Sequence, residues 1–90
     1  GNVVLEAWAR RKPIVAAASD GPVELIRDGE NGLLVALEDA DAMAAAINYI
    51  LANKAGAQSL AAVGYRDYQA DYAEAVGGQR YLDFFAKVAA

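Results

Sequence analysis

Two short apolar runs, "PIVAAA" (13–18) and "GLLVA" (32–36), constrain this chain more than any other feature. Neither alternates polar with apolar residues. A strand of that kind is covered on both faces, which favours parallel pairing in a sheet sandwiched by helices. The segment between the runs is "SDGPVELIRDGEN". It reads as a turn over Ser19–Pro22, a short helix over Val23–Arg27, and Asp-Gly and Asn-Gly turn chemistry through Gly32. The pattern before and after is helical. Asn2 is a suitable N-cap for a helix running to Lys12, with Val4, Leu5, Trp8 and Ala9 on one face and Pro13 as the stop.

Asp39 caps a further helix reaching about Asn53, whose expected buried stripe is Met43, Ala46, Ile47, Ile50 and Leu51. Another helix spans about 57–71, with Leu60, Val63, Gly64, Asp67 and Tyr68 at helical spacing. Gly64 costs that helix up to about 1 kcal/mol relative to alanine, which implies a close backbone contact there. A last helix, about 74–89, is weakened by Gly77-Gly78 and presents Tyr81, Leu82, Phe85 and Val88 on one side. The resulting order is helix, strand, short helix, strand and three helices. It defines an α/β chain like the closing section of a doubly wound domain. Two strands leave open edges, so partner strands are expected from elsewhere in the protein or from a second copy.

Composition removes several functions. The 90 residues contain no cysteine and no histidine, which excludes disulfides, thiolate chemistry, a Ser-His pair and a zinc site of the usual ligands within the chain. The net charge is −4, and the one basic run, Arg10 to Lys12, sits at a helix end where cations complement the dipole. Nucleic acid is therefore not an expected partner. No run approaches the roughly 20 apolar residues of a membrane span, and no signal-peptide pattern is visible; a cytoplasmic location is the expectation.

The stretch "GNVVLE" carries the first chemical hint. A glycine before a helix lets a ligand approach the backbone, and the free amides of the first turn suit a phosphate. Glu6 lies about 6–7 Å further along the axis, roughly the distance from a nucleotide's diphosphate to its ribose hydroxyls. A carboxylate can accept hydrogen bonds from both hydroxyls. Taken alone the pattern is weak, because a glutamate in the first turns is normally a dipole-compatible surface residue. Asp20 and Gly21 follow the end of a strand, where open α/β sheets place ligands, and turn chemistry accounts for them as well.

The longer string "GNVVLEAWARRKPIVAAASDGPVELIRDGENGLLV" resembles the C-terminal domain of retaining glycosyltransferases of the two-domain GT-B fold, family four. That family shows a Glu-x7-Glu motif of the form E-x-F-G-x-x-x-x-E-A-x-A, an apolar strand, a G-G-x-x-E turn and D-G-x-N-G-x-L-V. Gly1, Glu6, Ala7, Ala9, Pro13, Val15, Gly21, Glu24, Asp28, Gly29, Asn31, Gly32, Leu34 and Val35 match in order and spacing. Two departures stand out: Trp8 stands where methionine or another apolar residue is usual, and "SDGPVE" holds one glycine where the family often has two.

The resemblance implies a Rossmann-like α/β section that binds a nucleotide-diphosphate-sugar donor. Glu6 would be the second glutamate of the motif, holding the donor ribose. Gly1 would be the motif's glycine, and Asn2, Val3 and Val4 would offer amides to the diphosphate or the sugar. Asp20 and Gly21 are possible loop contacts. The first glutamate would fall three residues before Gly1, so no catalytic residue is expected within the chain. The same holds for the basic pair, the base-binding loop and the acceptor-binding domain, and the isolated chain is expected to be inactive. Neither a metal nor a cofactor beyond the donor is implied. The acceptor would be a carbohydrate or a lipid-linked saccharide, the parent protein residing in the cytoplasm or at the inner membrane face. The final segment, 74–90, including Tyr81, Leu82, Phe84 and Phe85, would dock on the N-terminal domain. A nucleotide-binding module without turnover and a fragment that self-associates through open strand edges are the alternative readings.

Overall fold

The computed structural model describes residues 2–73. In chain order these form α1 (Val3–Ala9), β1 (Val15–Ala17), α2 (Asp20–Leu25), β2 (Leu33–Val35), α3 (Ala40–Ala52) and α4 (Lys54–Tyr68), followed by a π-helical turn, Gln69–Ala73. The two strands pair in parallel, with Val15 opposite Leu33, Ala16 opposite Leu34 and Ala17 opposite Val35. Side chains alternate across the sheet. Ala16 and Leu34 pack on the cluster built by α1, while α3 lies against both strands from the other side. The expected parallel, two-faced arrangement is therefore present, although each strand residue remains only half-buried.

The core is Val4, Leu5 and Trp8 of α1 with Ile26 and Tyr68, flanked by Ile14, Leu25 and Tyr72. The stripe read for the first helix is thus the buried one. Its C-terminus differs from expectation. Helix α1 stops at Ala9, four residues before Pro13. Arg11 adopts a left-handed conformation, φ 57°, its N–H donates to the Trp8 carbonyl at 2.9 Å, and Lys12 N–H donates to the Ala7 carbonyl at 2.9 Å. This pair of bonds closes the helix in the manner usually led by glycine. The Arg11 guanidinium then rests over the Tyr65 ring, 4.2 Å from its centroid. That cation–π contact is a favourable interaction at a conformation unusual for arginine.

Helix α2 begins three residues earlier than the sequence suggests, at Asp20, and ends at Leu25. The "DGP" read as a turn is its first turn. The amides of a first turn have no partner within the helix, so proline fits there without losing a bond. Asn53 both ends α3 and caps α4, its Oδ1 accepting from Gly56 N–H at 2.8 Å. Helix α4 therefore starts at Lys54 and yields to the π-helical turn at Gln69 rather than running on to 71.

The stripe expected for α3 requires correction. Met43, Ala46 and Ile50 are half-buried, whereas Ile47 is 43% and Leu51 78% exposed. The helix meets the small two-stranded sheet and α4, and that footprint is too narrow to cover a full apolar face. The helix expected over 74–89, with its aromatic face, lies outside the described residues.

Candidate functional site

The site begins with how α1 is capped. Asn2 has extended backbone angles and its Oδ1 accepts from Leu5 N–H at 3.2 Å, while its carbonyl accepts from Glu6 N–H at 3.1 Å. The Val3 and Val4 amides, in the first turn, have no acceptor within the helix. A cleft of about 220 Å³ opens beside them, lined by Asn2, Val3, Val4, Gly21 and Pro22. The first turns of α1 and α2 are therefore its two walls. Both walls carry the positive end of a helix dipole. None of the five lining residues is charged, so any attraction for an anion here comes from backbone groups.

Of the residues singled out in sequence, Asn2, Val3, Val4 and Gly21 share this cleft. Gly1 lies outside the described residues. Glu6 is half-buried one turn further along α1, without an ion-pair partner among the described residues and outside the cleft lining. Asp20 is exposed at the first position of α2 and does not line the cleft. A β-carbon on Gly21 would meet nothing within 4 Å, so this wall has free space in front of it. Pro22, read in the sequence only as the end of a turn, completes the wall.

Sequence reading missed the framework behind the cleft. Asn31, in the middle of "DGENG", is 1% exposed, and both its side-chain amide groups and both its backbone polar groups are hydrogen-bonded, its N–H to the Arg27 carbonyl at 3.3 Å. Its Oδ1 accepts from Arg27 N–H at 2.8 Å; its Nδ2 donates to the Leu25 carbonyl at 3.3 Å and to Asp67 Oδ2 at 2.9 Å. Its own carbonyl accepts from the Trp8 indole Nε1–H at 2.9 Å, a buried bond across 23 residues. Asp67 also receives Arg27 Nη2–H at 2.7 Å. Burial pushes the Asp67 carboxyl upward, but hydrogen bonds from Asn31 and Arg27 and the Arg27 charge outweigh it and leave the pKa below the usual aspartate value. Arg27 is held above its ordinary value, chiefly by the bond to Asp67. The D-G-x-N-G spacing was the available signal. It was legible as a turn, but the partner on α4 was not.

A second depression, about 280 Å³, lies at the C-terminal ends of the strands and is lined by Ala17, Val35, Ala36, Glu38, Asp39, Ala40 and Met43. Its charged residues are acidic, and Asp39 Oδ1 is occupied by Ala42 N–H at 2.9 Å. It does not suit a diphosphate. Among the described residues no group of three or more His, Cys, Asp or Glu side chains gathers, and no helix is long and apolar enough to cross a membrane.

The architecture is that of the closing section of a doubly wound α/β domain, a fold that places its ligands beside strand ends. Comparison with known proteins identifies the family. The family model "Glycosyl transferases group 1" matches residues 1–53, and the chain belongs to that family. It is 38% identical over 86 residues to the lipopolysaccharide core biosynthesis glycosyltransferase LpsE of Rhizobium meliloti (strain 1021), covering 96% of this chain and 25% of that protein. It is 48% identical over 58 residues to the D-inositol 3-phosphate glycosyltransferase of Mycobacterium marinum (strain ATCC BAA-535 / M), covering 64% of this chain and 12% of that protein. Among solved structures, sucrose-phosphate synthase from Thermosynechococcus elongatus superposes with a TM-score of 0.78 at 40% identity, over 97% of this chain and 23% of the other. The fold is the α/β closing section of a GT-B C-terminal domain. The chain spans about a quarter of the length of LpsE and of the synthase.

Proposed function

We propose that the protein carrying this chain transfers a sugar from a nucleotide-diphosphate-sugar donor to a carbohydrate or lipid-linked acceptor with retention, and that residues 1–6 form part of its donor site. The observation that carries this reading is the uncharged cleft between the first turns of α1 and α2. Gly1, Asn2, Val3 and Val4 approach the diphosphate, with the Val3 and Val4 amides donating to its oxygens. Glu6, a turn away and without an ion-pair partner among the described residues, accepts from the ribose hydroxyls. Gly21 leaves room for the donor on the opposite wall, and Asp20, the residue before it, is a further loop contact.

Chemically, such a site stabilises charge rather than moving protons. Fixed backbone donors aimed at the diphosphate strengthen as negative charge grows on the departing group, and they need no reorganisation when the glycosidic bond breaks. The catalytic groups, the base-binding loop and the acceptor site belong to other parts of the protein on this proposal. Residues 1–90 are one partial donor-binding unit whose last segment, 74–90, docks on the acceptor-binding domain. The protein works in the cytoplasm or at the inner membrane face and uses no cofactor besides its donor.

The test is a titration of the chain with UDP, GDP and ADP, following the amide resonances of Asn2 to Glu6 and of residues 20–22. Shifts confined to those two segments, with one base preferred, are expected. A folded sample whose spectrum is unchanged at millimolar nucleotide would sink the assignment of the donor half-site to these residues.

A further inference from the structure

The two walls of the cleft belong to different helices, and among the described residues no side-chain hydrogen bond or ion pair joins them directly. What joins them lies behind the cleft. Trp8 is on α1, five residues from Val3 and 1% exposed. Its indole N–H reaches the Asn31 carbonyl at 2.9 Å. Leu25 is the last residue of α2, and its carbonyl accepts from the Asn31 side chain at 3.3 Å. A single buried residue thus holds the far ends of both wall helices, and its bond to Asp67 at 2.9 Å fixes that residue to α4.

We infer that Asn31 is a positioning residue that sets the separation of α1 and α2, and with it the fit of the donor between the Val3–Val4 amides and Gly21, an inference that rests on the donor-site reading above. The reasoning is geometric. Both helices are short, seven and six residues, and their own hydrogen bonding gives little stiffness. Helix α2 contributes no fully buried side chain, so packing alone holds it loosely. Leu25 packs on the Trp8 cluster, and its tie to Asn31 adds the directional hydrogen bond that relates α2 to α1. Preorganised donors stabilise charge only while their placement is held, so slack in either tie weakens donor binding before it unfolds the domain. Methionine at position 8 would fill space but could not donate to Asn31, so the tie to α1 depends on the tryptophan.

The test uses the full-length polypeptide and three variants. Trp8→Phe cuts the tie to α1. Asn31→Asp keeps the acceptor for Arg27 but loses both donors, to Leu25 and to Asp67. The pair Asn31→Asp with Asp67→Asn restores a donor and an acceptor between α4 and the turn while leaving the Leu25 carbonyl without one. Leu60→Ala, a truncation on α4 outside the Trp8 cluster, serves as a stability-matched control. The donor KM is expected to rise about two- to tenfold in all three variants relative to that control, the range that loss of one buried hydrogen bond supplies. The acceptor KM stays unchanged, and the double variant recovers stability without recovering donor KM.

Hydrogen exchange without ligand provides an independent reading. Segments 2–9 and 20–25 are expected to exchange faster together in the variants than in the control. Faster exchange confined to 27–32, with donor KM no different from the control, would overturn the inference and leave Asn31 a purely structural residue. Absence of any donor binding by the wild-type protein would instead count against the donor-site reading, and the exchange data would still decide whether Asn31 couples the two walls.

Discussion

The five-membered ring of Trp8 fills the space in which a β-carbon on residue 64 would stand: such an atom would lie 3.0 Å from Cγ and closer still to Cδ1 and Nε1. Tryptophan and glycine are therefore complementary parts of one contact between α1 and α4. Gly64→Ala should accordingly destabilise, although alanine is the better helix former by up to about 1 kcal/mol. The indole is buried and hydrogen-bonded, so it cannot step aside, and overpacking of this kind costs roughly 1–3 kcal/mol. Urea denaturation is the measurement; a variant more stable than the wild type would refute the contact.

The two glycines of "DGENG" should fail for different reasons. Gly29 has φ +83° and open space around it, whereas a β-carbon on Gly32 would lie 2.8 Å from Ile14 Cγ2 and 3.1 Å from Ile26 Cγ2. Gly29→Ala should cost about 1–2 kcal/mol through backbone strain, and Gly29→Asn should recover much of that loss. Gly32→Ala should cost roughly 1–3 kcal/mol through crowding, and Gly32→Asn should be worse than Gly32→Ala. Equal responses of the two sites to asparagine in thermal melts would contradict this assignment.

Asp67 should give the chain an acid-sensitive component of stability. Its folded pKa lies below the ordinary 3.8, so its contribution is complete above that value. On acidification the contribution fades as pH falls from about 4 through the depressed folded pKa. Asp67→Asn should lower stability at neutral pH, because Arg27 loses its ion-pair partner and the amide oxygen that remains is a weaker acceptor, and it should flatten the stability profile below about pH 4. Denaturation midpoints measured from neutral pH to below pH 3 would show both effects. A variant that keeps the wild-type slope would exclude Asp67 as its source.

Glu6 is the residue whose removal should separate binding from folding. Without an ion-pair partner among the described residues, Glu6→Gln should alter stability by less than about 1 kcal/mol, the scale of its interaction with the helix dipole. If it holds the donor ribose, nucleotide affinity should fall about tenfold or more, since hydrogen bonds to a carboxylate are among the stronger ones. Calorimetric titration of the wild type and the variant with the preferred nucleotide decides the matter; equal affinities would remove Glu6 from the site.

What could be read from the sequence was local or periodic. The apolar runs 13–18 and 32–36 announced strands covered on both faces, and the spacing of Val4, Leu5 and Trp8 announced the buried side of α1. Asn2, Asp39 and the conflict of Gly64 with its helix were likewise visible, because capping and helix propensity act within a few residues. The tertiary structure decided the rest. Only the approach of α1 to α4 explains why Gly64 is required, and only the convergence of Trp8, Leu25 and Asp67 on Asn31 turns a surface-looking turn into the buried frame behind the cleft. Nor could periodicity reveal that Ile47 and Leu51 lie outward. A helical stripe shows which residues share a face, but burial depends on how much of the neighbouring structure that face meets.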